Sequence, residues 1–108
     1  MYLDHRTYTL KPGALKAFLE LYEREGLPLQ RDHLGEPFGW FTTEVGNVNQ
    51  IVHMWLYQDL NDRQRRRAAM LADPRWPSYA SQSAPLLEAM ENKILRPAAF
   101  APVAHPVR

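Results

Sequence analysis

The chain has no cysteine among its 108 residues. No disulfide framework, thiolate nucleophile or Cys-ligated zinc is therefore available, and a reducing, cytoplasmic setting is expected. Charge of one sign is lacking too. Thirteen basic residues against twelve acidic ones leave no basic footprint of the kind that holds nucleic acid. No apolar run approaches the roughly 20 residues of a membrane span. The opening MYLDHRTYTL carries charges too early for a signal peptide. The five glycines form no phosphate loop, dinucleotide fingerprint or Gly-x-Ser-x-Gly elbow. His5, His33, His53 and His105 lack ligand spacing, so neither a metal nor a cofactor is called for. What remains is one globular domain over residues 1–108, large enough to bury roughly two-thirds of its unfolded surface.

Tyr2 to Leu10 is rich in Tyr and Thr and ends at Lys11-Pro12-Gly13, which reads as a strand and a turn. Leu15, Phe18, Leu19 and Tyr22 then follow helical spacing, with Gly26 expected as the C-terminal cap. Leu27 to Pro37 is a connection of undetermined structure. Phe38–Val45 and Val48–Tyr57 read as two strands around a tight turn at Gly46-Asn47, which sets Trp40 opposite His53 and Thr42 opposite Ile51. Asp59 opens a helix that runs to about Ala72, Pro74 ends it, and Trp76, Tyr79 and Ala80 mark a short third helix. Glu91 to Arg96 is the last strand. From about residue 97 a proline-punctuated tail is expected to be extended, with Phe100 anchoring it against the body of the dimer.

The stretch NQIVHMWLY, residues 49–57, alternates in kind. Val52, Met54 and Leu56 are aliphatic, while His53, Trp55 and Tyr57 are rings with polar handles. The strand period puts the two sets on opposite faces of a sheet. The order strand, helix, strand, strand, helix, strand predicts an α+β, ferredoxin-like βαββαβ fold, an antiparallel sheet with its helices on one face. The helices are expected on the aliphatic face. The rings would then form an exposed patch that a second copy covers, giving a homodimer with an enclosed cavity between its sheets.

The run Tyr8-Thr9-Leu10-Lys11-Pro12-Gly13 resembles the start of the dimeric α/β barrel superfamily. Arg6-Thr7-Tyr8, Phe18–Tyr22, Phe41–Gly46, Asn49-Gln50 through His53 and Trp55, Ala72-Asp73-Pro74 with Trp76, and Ile94–Pro97 resemble the NIPSNAP family. His5 departs from that pattern, where an aliphatic residue is expected. The resemblance spans nearly the whole chain and implies the fold and the dimer. It lends little chemistry: eukaryotic members are linked to mitochondria and vesicle traffic. Related barrels include cofactor-independent monooxygenases and haem-degrading enzymes, an analogy of fold alone.

The candidate ligand-binding residues are Arg6, Tyr8, Trp40, His53 and Trp55. His53 is the candidate catalytic group, a neutral imidazole able to take a proton, unless it is simply a satisfied buried histidine. Arg6 could clamp an anion, or could be spent on an internal ion pair with Asp4 or Glu91. Asn92 and Arg96 share a face and could join the same interior. The run Arg63-Gln64-Arg65-Arg66-Arg67 reads as a solvated helix face rather than a nucleic-acid patch. Three functions follow: a small-molecule-binding barrel, a cofactor-independent oxygenase or isomerase using the same cavity, or a non-catalytic interaction module.

Overall fold

The computed structural model describes residues 1–102. Four strands, β1 (Tyr2–Leu10), β2 (Gly39–Thr42), β3 (Gln50–Tyr57) and β4 (Leu87–Leu95), form one antiparallel sheet in the order β2-β3-β1-β4. The helices α1 (Leu15–Leu21), α2 (Leu27–Leu34), α3 (Leu60–Ala72) and α4 (Trp76–Ser83) supply the second layer. This is the ferredoxin-like arrangement that the order of elements predicts. No helix among the described residues is long and apolar enough to cross a membrane.

The helices take the opposite face from the one expected. Along β3, Ile51, His53, Trp55 and Tyr57 are buried, and Val52, Met54 and Leu56 are only partly so. The rings therefore look into the interior of one chain and not into a space between two sheets. The physical reason is volume. The sheet meets α1, α2 and α4 through Phe18, Leu21, Tyr22, Leu29 and Tyr79, and large rings on β3 fill that layer. Alternation separates two faces, but it does not say which of them the helices cover.

The β2–β3 register is the expected one, with Trp40 opposite His53 and Thr42 opposite Ile51. The connection is longer than a tight turn. β2 stops at Thr42, and residues 43–49 form a loop held by Thr43 Oγ1 donating to Gln50 O at 2.8 Å and Gln50 N donating to Asn47 O at 3.0 Å. Gly46 sits at φ 127°, where a side chain would be strained.

Gly26 does not end a helix. The chain widens into a π turn over Tyr22–Gly26 and runs on through α2 to Gly35, whose φ of 81° stops it. Pro28, with no N–H to donate, falls in the first turn after the widening. α3 begins as expected, with Asp59 accepting from Asp62 N at 2.6 Å. β4 starts at Leu87, four residues before the expected Glu91. Residues 98–101 turn back through Ala101 N to Ala98 O at 2.9 Å, so this part of the tail is not extended. Phe100 is 92% exposed and has no cover from the described residues of its own chain. The rest of the tail, with His105, lies outside the described residues.

Candidate functional site

A cavity of about 160 Å³ lies between the sheet and the helical layer. Tyr8 comes from β1 and His53 from β3. Phe18, Tyr22 and Gln30 come from the α1–α2 helix and Tyr79 from α4. Ala84 and Met90 also line it and are exposed, so it opens between the end of α4 and β4. The local sequence makes this chamber possible at Gly26. A Cβ there would stand 2.7 Å from Tyr22 Cδ1 and 2.8 Å from Tyr79 Cε1 and Cζ, so only glycine lets the two rings close on the widened turn.

His53 is 1% exposed and surrounded by rings. Trp40 stacks on it at 5.5 Å, Tyr8 meets it edge-on at 4.7 Å, and Trp55 lies behind it. Trp55 Nε1 donates to His53 Nδ1 at 2.8 Å. The other ring nitrogen, Nε2, is buried without a partner among the described residues, as are Trp40 Nε1 and Tyr57 Oη. Burial, reinforced by the Arg6 charge, pushes the imidazole pKa down to about 3, so the ring is neutral at neutral pH.

Beside the chamber is a charged cluster built on Asp4, which is fully buried. It accepts from Arg6 Nη1 at 3.2 Å, Arg63 Nε at 3.0 Å and Asn92 Nδ2 at 3.0 Å. Burial by itself would raise this carboxyl. The Asn92 amide and the two guanidinium groups outweigh it and hold the pKa below the ordinary value. Arg6 also donates from Nε to Tyr8 Oη at 3.1 Å, which fixes the phenol beside His53.

The NIPSNAP family model matches residues 3–102, nearly the whole chain. The chain belongs to the NIPSNAP family. It is 47% identical to a NIPSNAP family protein of Agrobacterium tumefaciens whose solved structure overlays with a TM-score of 0.91, covering 96% of this chain and 94% of that one. A NipSnap homolog of Dictyostelium discoideum is 36% identical over 92 residues, which is 85% of this chain and 40% of the homolog. The chain spans less than half the length of such eukaryotic NipSnap relatives. A putative antibiotic biosynthesis monooxygenase of Nitrosomonas europaea shares the fold at a TM-score of 0.65 and 16% identity, covering 89% of this chain and 97% of that one.

In this NIPSNAP chain, Tyr8 and His53 line the cavity directly, and Trp40 and Trp55 hold the imidazole from two sides. Arg6 is not a free clamp. It is engaged by Asp4 and Tyr8, while Glu91, paired with Thr7, lies on the other face of the sheet. Asn92 joins the cluster, and Arg96 instead sits 5.7 Å over the Tyr2 ring. The arginine run is only partly a solvated face. Arg65 is exposed where it pairs with the buried Asp62, but Arg63 reaches Asp4, Arg66 donates to Leu34 O at 3.3 Å, and Arg67 is half-buried. Their spacing with buried Met70 (63, 66–67, 70) is the helical stripe that would have pointed inward. Gln30 was hidden in a segment with no legible structure. Phe18, Tyr22 and Tyr79 were legible as apolar helical positions, but not as walls of a chamber.

Proposed function

We propose that this NIPSNAP domain binds a small, flat, largely apolar molecule in the chamber between its sheet and its helices, and does so as a homodimer. The observation that carries this reading is His53 Nε2, a buried polar atom without a partner among the described residues, on a ring that lines a cavity of aromatic and other largely apolar side chains. Buried polar groups are ordinarily paired, and an exception beside a cavity of ligand-fragment size is best explained by a guest. Pairing of two copies is supported by the open face of the sheet, where Phe41 and Leu95 are exposed and Val52, Met54 and Leu56 are half-covered. The oxygenase or isomerase reading stands second. It is supported by the shared fold alone, and among the described residues no carboxylate or lysine lines the chamber to act as a base.

Native mass spectrometry of freshly purified protein should reveal a co-purifying small molecule. Saturation-transfer NMR should show toluene or acetophenone in contact with the protein. Ala80→Trp, which fills the cavity, should abolish that contact with an unchanged circular dichroism spectrum. Absence of a co-purifying molecule together with no saturation transfer, or transfer that survives Ala80→Trp, would overturn the proposal.

A further inference from the structure

We infer that the chamber selects a neutral carbonyl compound, an aromatic ketone, aldehyde or quinone, whose oxygen accepts a hydrogen bond from His53 Nε2. This rests on the binding proposal above and adds the class of ligand. An indole N–H can only donate. Because Trp55 Nε1 stands 2.8 Å from His53 Nδ1, that nitrogen must present its lone pair. A neutral imidazole carries one N–H, and here it is on Nε2. Trp55 therefore fixes the tautomer, and the atom left without a partner is a donor. It cannot serve as a proton acceptor, so His53 is not the general base that its sequence context suggested.

Two of the neighbouring polar groups lean the same way, while Ser83 Oγ donates to Ala80 O at 3.4 Å. Gln30 Oε1 accepts a hydrogen bond from the Tyr22 hydroxyl, which leaves its amide N–H groups as the free end. Tyr8 Oη accepts from Arg6 Nε, so its own hydrogen remains to be given. Among the described residues, none that lines the chamber is charged. A carboxylate would lose its hydration and gain only neutral donors, whereas a carbonyl loses little hydration and satisfies the orphan N–H. Stacked and edge-on rings around His53 favour a planar body on that carbonyl.

Two measurements on the intact protein test this. Two-bond 1H–15N correlation spectra at pH 7, with His53 assigned by its absence in His53→Gln, should show Nε2 protonated and Nδ1 bare. Trp55→Phe, which removes the locking donor, should populate the other tautomer. Binding by NMR titration should favour acetophenone over α-methylstyrene, which replaces C=O by C=CH2, by roughly ten-fold, with benzoate weaker than acetophenone. The preference should shrink in His53→Gln. If the spectra show Nδ1–H, if the two neutral probes bind alike, or if benzoate binds best, the inference is wrong and the chamber still binds ligands. If no probe binds, both the inference and the binding proposal fall.

Discussion

His53 couples the chamber to the stability of the fold. Its native pKa is pushed down to about 3 by burial and then by Arg6, against an ordinary value of 6.5. Between those two values the unfolded chain binds a proton that the native chain refuses. Stability is therefore fully present above pH 6.5 and falls as pH drops toward 3, by up to about 1.4 kcal/mol per pH unit. The Asp4 carboxyl, held below its ordinary 3.8, adds loss in the same direction at lower pH. Urea unfolding between pH 7 and pH 4.5 should show this acid limb, and His53→Gln should flatten it by about one proton. An equal slope in the variant would mean that the ring titrates normally. Asp4 offers a second test at this scale. Asp4→Asn leaves Arg6 without its buried counter-charge, and a loss of about 3 kcal/mol is expected, the low end for a broken buried pair because Arg63 reaches solvent. A loss under about 1 kcal/mol in chemical denaturation would mean that water screens the cluster.

At the scale of elements, the widened turn between α1 and α2 sets the width of the chamber. Gly26→Ala should gain the helix preference of alanine, about 1 kcal/mol, and yet destabilise the protein by a net 1–3 kcal/mol or so. The added methyl would overlap Tyr22 and Tyr79, both buried, and neither ring can move without opening the cavity wall. Thermal melting checks the sign, and a rise in midpoint would refute the packing argument. This residue also shows where sequence reading stops. A glycine after a helical stripe is ordinarily a C-terminal cap, and a helical glycine kept for ring contact looks identical until Tyr79, fifty-three residues later, is placed beside it. The β2–β3 register was legible because the hydrophobic alternation and the Gly46-Asn47 tip agree, even though the loop is longer than expected. The side taken by the helices was not legible. Period-two alternation is symmetric between faces, and the choice depends on ring volume matched across the layer, a property of pairs of distant residues.

At the scale of the whole molecule, the reversal of faces changes which substitutions report on assembly. Trp55 is fully buried under the helices, so a charge there tests folding. Its neighbour Met54 lies on the open face of the same strand, half-covered in the isolated chain, in line with Val52 and Leu56 and across from His5 on β1. With Phe41, Leu95 and Leu3, this surface is the apolar area that a monomer would leave to water. A two-fold partner is the simplest cover for one face of a sheet, because the same patch then serves both copies. Light scattering at micromolar concentration should give the mass of a dimer. Met54→Glu should give a folded monomer with an unchanged circular dichroism spectrum, because the carboxylate would be buried only in the pair. Trp55→Glu should instead lose its cooperative melt. The two adjacent substitutions thus separate the two faces of β3 in one experiment. A monomeric parent protein, or a Met54→Glu variant that stays dimeric, would mean that the open face is not where copies meet.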